Sequence, residues 1–498
     1  MPKPPQLTRY VEVERKFDVP DSAVTPSFAG LAVISRVAEQ PPQSLEAVYY
    51  DTQNNVLAAH RITLRRRIGG TDEGWHLKMP GSSGNPEQRT EIHSALHSDI
   101  PDEIRDVVLA IVRDRPLVAV ARINTDRNLT TLHGADGSPL AEFCDDRVVS
   151  TRLDPQGEAG ESEQRWREWE LELVNPADNA SNTALLDRLT NRVLDAGGVV
   201  SDRKSKLSKV LAETGQPATK ERGHKVHRAL ARQIEHLLVC DRDVRADADD
   251  AVHQMRVTIR QIRSLLQASG DSSGHPGLDA INAELRELAG ILGLARDAEV
   301  LGAHYREALS ALPSELVRGP VGPRLVEDSD RRYQAGLRRA LVAMRSQRYF
   351  RLLDTLEQLV TTPEAGVEHH SEPITIEASY RKVAKAAKAA AAVDGPDRHE
   401  AIHRIRKKAK RLRYVAEATG DHDVKKRAKE VQTLLGEHQD SVVSAAHLLT
   451  AAAVAHSAGE DTFTYGLLYH QETDAACRCE KQLPAAMKAL RRSVRAAR

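Results

Sequence analysis

The chain has 498 residues, too many for one hydrophobic core, and combines 40% apolar and 29% charged residues with only 4% aromatic. Lys+Arg and Asp+Glu both number 71, yet residues 1–215 carry 26 basic against 33 acidic side chains and the remainder 45 against 38. That asymmetry predicts two domains, the second drawn to an anion, while four scattered cysteines exclude a disulfide scaffold.

The first ten residues contain no apolar stretch of the signal-peptide kind, and no run approaches ~18 apolar residues. A cytoplasmic protein with no membrane partner is expected. Up to about residue 210 the sequence reads as short alternating strands. Val11-Glu12-Val13-Glu14-Arg15-Lys16-Phe17 alternates strictly, as do residues 61–67 and 169–174. Turn chemistry separates them at Gly69-Gly70, residues 80–84, Asp136-Gly137 and Asp154-Pro155. Such spacing predicts a closed or nearly closed antiparallel sheet, with helical insertions at 101–113 and 182–196.

Residues two apart on a strand share a face, so Glu12, Glu14 and Lys16 point one way. Glu168, Glu170 and Glu172 repeat the pattern opposite Trp169, Leu171 and Leu173. Carboxylates crowded on one surface repel each other unless a cation lies between them, and oxygen-only donors suit Mg²⁺ or Mn²⁺ rather than zinc. Arg65 and Arg67 share another face, and Lys78, Arg89, Arg122, Arg127, Lys204 and Lys206 add further bases. A single alternating Glu/Lys strand is commonly the solvated face of a sheet. The recurrence at 65/67 and 170/172 instead predicts a lumen with an acidic and a basic wall, suited to a metal-bridged chain of phosphates.

Gly215, Pro217 and Gly223 mark a linker over 211–223, beyond which a 3.6-residue period runs almost to the end. Breaks at 270–277, 313–323 and 362–373 divide it into bundle-sized pieces. An internal repeat lies within: His253, Arg256, Arg260 and Arg263 match His403, Arg406, Lys410 and Arg413, at offsets of 0, 3, 7 and 10 on one helix face. The apolar partners Val252, Met255, Ile259, Ile262 and Leu266 match Ile402, Ile405, Ala409, Leu412 and Ala416. Leu292-Gly293-Leu294-Ala295-Arg296-Asp297 echoes Leu435-Gly436-Glu437-His438-Gln439-Asp440. Residues 401–430 hold 11 Lys/Arg against 4 Asp/Glu, a field that attracts polyanions. Nucleic acid is not the expected ligand, because aromatics for base stacking are almost absent. His253 and His403 lack the companions of a zinc site.

The ordered series Glu12-x-Glu14-x-Lys16, Tyr49-Tyr50-Asp51-Thr52, Leu64-Arg65-Arg66-Arg67, Leu77-Lys78, Arg89-Thr90-Glu91, Ala141-Glu142-Phe143 with Asp145-Asp146, Glu170-Leu171-Glu172 and Ser205-Lys206 resembles the CYTH family of triphosphate tunnel enzymes over residues 9–212. The resemblance implies an eight-stranded antiparallel tunnel. In it Glu12, Glu14, Glu170 and Glu172, with Glu142 and Asp146, would hold a divalent metal, Mg²⁺ or Mn²⁺. Lys16, Arg65, Arg67, Lys78, Arg127 and Lys206 would hold the triphosphate during catalysis. Family members hydrolyse inorganic or thiamine triphosphate, or cyclise ATP. At 122–127 the sequence departs from the family, with Asn124 or Thr125 where relatives carry a base, so the resemblance leaves Arg122 and Arg127 as competing alignments.

The doubled His-x-x-Arg-x-x-x-(Arg/Lys)-x-x-Arg element resembles the CHAD family, conserved-histidine helical domains, over 223–490. It implies two pseudo-repeated four-helix bundles and a basic groove for inorganic polyphosphate, carried by the eight residues from His253 to Arg413 given above. The expectation is thus an α+β multidomain protein: a tunnel domain over 1–215, a linker at 216–222 and a helical domain over 223–498, with repeats at 223–360 and 374–490. The expected activity is inorganic triphosphate hydrolysis joined to polyphosphate binding, which would associate the protein with polyphosphate granules. A non-enzymatic polyphosphate scaffold or sensor is the alternative, with adenylyl cyclase and thiamine triphosphatase behind it. Homodimer formation through the helical half is left open.

Overall fold

Strand β1 (Thr8–Val19) is long enough to serve two neighbours on opposite edges, and this closes the sheet. The computed structural model describes residues 8–81, 87–154, 156–174, 176, 179–211, 225–273, 277–361, 375–393, 395 and 397–497. Residues 8–13 of β1 pair with β6 (Gln88–Ser94), and residues 14–19 with β9 (Ala159–Leu173). The ring runs from β6 through β5 (Gly74–Pro80), β4 (Thr63–Ile68), β3 (Gln43–Asp51), β7 (Val118–His133) and β8 (Pro139–Leu153) to β9. These eight strands are antiparallel throughout and form the expected barrel. β2 (Arg36–Glu39) adds to β7, and β10 (Val199–Val200) to β1.

Alternation decides what each wall presents. Trp169, Leu171 and Leu173 of β9 pack outward with Phe17 and Val13 of β1 against Leu186, Leu189 and Val193 of a helix, α4 (Asn179–Asp195). Leu64, Trp75, Leu77 and Ile92 pack outward beneath three short helices, α1 (Val56–Ala59), α2 (Asp102–Val107) and α3 (Leu109–Val112). With the apolar residues outside under helices, the charged ones between them turn inward. Asp51 shows that part of the Tyr49-Tyr50-Asp51-Thr52 motif is structural: its carboxylate accepts N–H groups of Thr52, Leu57 and Ala58 at 2.6, 2.8 and 2.9 Å, fixing α1. A further helix, α5 (Lys206–Leu211), packs Leu207 and Val210 against Ala47, Tyr49, Ile123 and Val148. Ile123 and Val148 share strand faces with Arg127 and Asp146, so α5 covers the inner wall at one end of the barrel.

The chain divides into two compact units, residues 1–251 with 344–361, and 252–343 with 362–498. The first therefore includes two helices of the 3.6-period half, α6 (Lys225–Arg245) and α10 (Gln347–Thr361). Asp241 of α6 is buried between Arg245, at 2.6 Å, and the Tyr349 hydroxyl of α10, at 2.8 Å, and Arg245 reaches Asp106 of α2 at 3.1 Å. The linker expected at 216–222 and the break at 362–373 lie outside the described residues.

The second unit contains α7 (Ala251–Ser273), α8 (Leu278–Ser310) and α9 (Asp328–Met344), then α11 (Ile376–Ala390), α12 (Asp397–Ala418), α13 (His422–Ser457) and α14 (Phe463–Ala496). α11 to α14 form a four-helix bundle around Val383, Ile405, Leu412, Val431 and Leu490, with Thr375 and Asp421 capping α11 and α13 by accepting N–H groups at 3.2 and 2.9 Å. Both predicted apolar stripes are core: each of their ten side chains is at most 2% exposed. Tyr305, Val321 and Leu325 pack with Leu448, Tyr465 and Leu468, joining the long helices of the two repeats. No helix among the described residues is long and apolar enough to cross a membrane.

Helices α8 and α9 approach closely at Gly336, where an added Cβ would lie 2.6 Å from the Ala295 nitrogen. Gly→Ala in a helix ordinarily gains up to ~1 kcal/mol. Here overpacking reverses the sign, so Gly336→Ala is expected to cost about 1–2 kcal/mol. Gly290→Ala on α8, where nothing lies within 4 Å of the new Cβ, is the matched control and should be neutral or stabilising in thermal denaturation.

Candidate active site and anion-binding groove

The inward faces enclose a cavity of about 190 Å³. β1 contributes Glu12, Glu14 and Lys16, β9 contributes Glu170 and Glu172, and β8 contributes Glu142, making an acidic side. β4 contributes Arg65 and Arg67, β5 Lys78, β7 Arg127 and α5 Lys206. Ten of the twelve expected tunnel residues pair with another side chain of the barrel. Lys16 contacts Glu14 at 2.8 Å and also Glu170; Lys78 contacts Glu12 at 2.7 Å and Glu91 at 3.3 Å. Arg127 grips Asp146 at 2.7 Å and Glu170 at 2.9 Å, and Lys206 touches Asp146, Glu168 and Glu170 at 2.8, 2.8 and 2.9 Å. Arg65 donates to the Tyr49 hydroxyl at 3.4 Å, and Arg67 pairs with Asp72. Register settles the alternatives at 122–127: Arg127 is inward and buried against Asp146, while Arg122 is half exposed near Glu46 on the outside.

Crowding of charge away from water shifts these groups in opposite directions. Burial, opposed by Lys78 and reinforced by Glu91 and Glu172, pushes Glu12 up to about 9. Against burial, Lys16 and Lys78 hold Glu14 down at about 2, and Lys16, Lys206 and Arg127 hold Glu170 well below the carboxylate range. Burial, then Arg65 and Arg127, pushes Arg67 down to about 9. Burial keeps His76 neutral, down at about 3, although its Nδ1 lies 2.5 Å from Glu91.

The carboxylates fall into two groups with different fitness for a cation. Asp146, Glu168 and Glu170 each bring an oxygen within 4.8 Å of the others, but the Lys206 ammonium already sits against all three. Glu14, Glu172 and Glu142 instead stand directly opposite one another across β1, β9 and β8. Burial and the carboxylates Glu14, Glu91 and Glu170, opposed by Lys78, raise Glu172 above its ordinary range. That row of oxygens, in which Lys16 pairs with Glu14 alone and the strands lie ~4.8 Å apart, is the better fit to a hard divalent ion.

Four lumen groups had no assigned role in the sequence: Glu91, Glu168, Tyr49 and Asp72. Glu91 and Glu168 carried a signal, the same period-2 alternation that marked Glu12 and Glu170. Tyr49 and Asp72 are placed by cross-strand register and by the β4–β5 turn. Arg89, though inward, donates to the Arg61 and Lys204 carbonyls at 2.9 and 3.2 Å and so holds backbone.

In the second unit all eight stripe residues are half-buried, whereas Arg404, Lys407, Lys408 and Arg411 on the same helix are exposed. The repeat is geometric as well as sequential. The Arg256 guanidinium lies 3.6 Å from where Gly293 would carry a Cβ, and that of Arg406 3.4 Å from the same point on Gly436. Arg256 also meets Asp297 at 3.3 Å. The two stripes converge: burial, then Arg260, Arg406 and Arg413, push Lys410 down to about 8. Among the described residues the buried Nε atoms of Arg260, Arg263 and Arg413 have no hydrogen-bond partner. Burial, with Lys407 and Arg406, lowers His403, which hydrogen-bonds Gln439. Donors without partners, gathered from both repeats, make a half-buried candidate anion site.

Comparisons with known proteins agree with both halves. The CYTH domain family matches residues 11–189 and the CHAD domain family residues 228–449. Two Mycobacterium tuberculosis proteins recorded as uncharacterised, MT2285 of strain CDC 1551 / Oshkosh and Rv2226 of strain ATCC 25618 / H37Rv, are each 54% identical over 512 residues, covering 99% of both chains. Among solved structures, PptA from Streptomyces chartreusis is 20% identical at a TM-score of 0.44, over 53% of this chain and 98% of its own. The CHAD domain from the plant Ricinus communis is 24% identical at 0.39, over 57% and 96%. The chain belongs to the CYTH and CHAD families, carrying the CYTH domain first and the CHAD domain after it.

Proposed function

We propose that the tunnel hydrolyses inorganic triphosphate with Mg²⁺ or Mn²⁺, and that the helical domain binds inorganic polyphosphate. The observation that carries the first half is the lumen itself, a polar channel that sets Arg65, Arg67, Lys78 and Arg127 against a carboxylate row at Glu14, Glu172 and Glu142. Arg65, Arg67, Lys78 and Arg127 would hold the phosphate oxygens, while Lys16 and Lys206 keep Glu170 ionised. The divalent ion, when bound by Glu14, Glu172 and Glu142 with Glu12 beside them, supplies charge neutralisation at the phosphate chain. A water oxygen bonds to the terminal phosphorus as its bridging P–O bond breaks, giving orthophosphate and pyrophosphate. The chain's own contribution is positioning and fixed charge.

Tyr10 and Tyr49 are the aromatic residues lining this cavity among the described residues, and Tyr49 is engaged by Arg65. This disfavours reading of an adenine or thiamine ring. Cyclisation of ATP and thiamine triphosphate hydrolysis therefore rank behind inorganic triphosphate, and a non-catalytic scaffold ranks second.

Purified protein with Mg²⁺ or Mn²⁺ should release phosphate from inorganic triphosphate in preference to ATP or thiamine triphosphate. Glu172→Gln should lower kcat by on the order of 100-fold with an unchanged circular dichroism spectrum. Absence of turnover with all three substrates rejects the enzymatic reading and leaves the scaffold, whereas full activity in Glu172→Gln rejects the carboxylate row as the metal site.

For the groove, converting Arg260, Arg406 and Lys410 together to Ala in the full chain should weaken polyphosphate binding by on the order of 100-fold at moderate salt. Unchanged affinity would remove the groove from consideration. Lys410 also sets a pH dependence. Its free pKa of about 8 rises when a polyanion binds, so the complex takes up a proton above that pH. Affinity should therefore fall as pH climbs from 7 to 9 on the order of one titration unit, and Lys410→Arg, which stays charged, should flatten the profile.

A further inference from the structure

Outside both phosphate sites, three helices of the second bundle bring two imidazoles and a carboxylate together. His399 of α12, His438 of α13 and Glu480 of α14 each offer one ligand atom, all within 4.8 Å of one another. The rings lie with centroids 5.4 Å apart, and His438 Nε2 is 3.2 Å from Glu480 Oε1. The His438 side chain is 1% exposed. Among the described residues, the buried Nδ1 atoms of both His399 and His438 have no hydrogen-bond partner. Two orphaned imidazole nitrogens are costly beside a core of Ala, Ile and Leu, and a neutral histidine is the form that donates a lone pair.

Glu480 is held in place from its far side. Arg398 Nε contacts Glu480 Oε2 at 2.7 Å while its other nitrogen donates to the Ala390 and Val393 carbonyls at the end of α11, each at 3.3 Å. This leaves Oε1 facing the imidazoles. The first repeat does not share the arrangement. Four residues before His253 stands Asp249, where His399 precedes His403, and two after Gly293 stands Ala295, where His438 follows Gly436. The cluster is therefore not part of the duplicated phosphate stripe.

We infer that His399, His438 and Glu480 form a site for a borderline transition-metal cation of the Zn²⁺ class, tying α12, α13 and α14 together. Two nitrogens and one oxygen suit such an ion and disfavour Mg²⁺, the hard ion expected in the tunnel. Arg398 acts as a positioning residue through the carboxylate.

The test uses the full-length, tag-free protein after chelator treatment. Zn²⁺ is titrated in competition with a chromogenic chelator, and Co²⁺ binding is followed by its visible absorption. One equivalent of Zn²⁺ should bind in the wild type and in Glu172→Gln, with nitrogen-ligated Co²⁺ bands that excess Mg²⁺ does not remove. His399→Ala, at a half-buried position that tolerates truncation, should lose that equivalent, and Arg398→Ala should bind roughly 10- to 100-fold more weakly. Zn²⁺ should raise the melting temperature of the wild type and leave that of His399→Ala unchanged. No bound Zn²⁺ in the wild type, or equal Zn²⁺ binding in His399→Ala, overturns the site. Because Glu172→Gln is assayed in parallel, loss of Zn²⁺ there would assign the ion to the tunnel instead and equally refute the proposal.

Discussion

Lys206 is the contact on which the tunnel depends. From the first turn of α5 its ammonium meets Asp146, Glu168 and Glu170 at 2.8 to 2.9 Å, all three carboxylates being at most 9% exposed. Three buried anions on adjacent strands would otherwise repel one another, and desolvation would force at least one of them neutral. The same lysine seats α5, whose Leu207 and Val210 cover the inner wall. It satisfies one carboxylate group and stands apart from another, Glu14, Glu172 and Glu142, in which Lys16 meets Glu14 alone. The division of labour within the acidic wall thus follows from where one cation is anchored.

A comparable logic separates the groove of the helical domain from an ordinary charged surface. A basic helix face costs little when every side chain reaches water. The eight stripe residues do not, and the exposed bases beside them do. Gly293 and Gly436 lie against these side chains at matching points, beside the Arg256 and Arg406 guanidinium groups. Convergence of the two stripes appears as the depression of Lys410, which burial begins and Arg260, Arg406 and Arg413 complete. Perturbed groups gathered in this way mark a candidate binding site.

Much of the fold was legible in the sequence because its periods are clean. The alternation at Glu12-x-Glu14-x-Lys16 and Glu170-x-Glu172 marked strands, and the doubled histidine stripe marked matching helices with cores that are buried as expected. Less legible was anything set by short elements or by register. α5 is six residues long and has no amphipathic pattern to detect, yet it carries Lys206. The competition between Arg122 and Arg127 could not be decided locally, because a change of parity exchanges inside and outside. Glu91 and Glu168 shared the signal of their neighbours, but their partners His76, Lys78, Lys206 and Lys209 lie on other elements.

The sequence by itself determined the strand and helix periods, the duplicated stripe and the class of charged residue at each position, since these are local properties of side-chain order. Only the tertiary structure decided which face of each strand became a lumen, because that depends on β1 pairing with both β6 and β9 and on α4 covering the apolar side. It also decided which acids are neutralised and which are not, and it gathered His399, His438 and Glu480 from three helices. Charge pairing is a matter of distance across the fold, and no spacing along the chain encodes it.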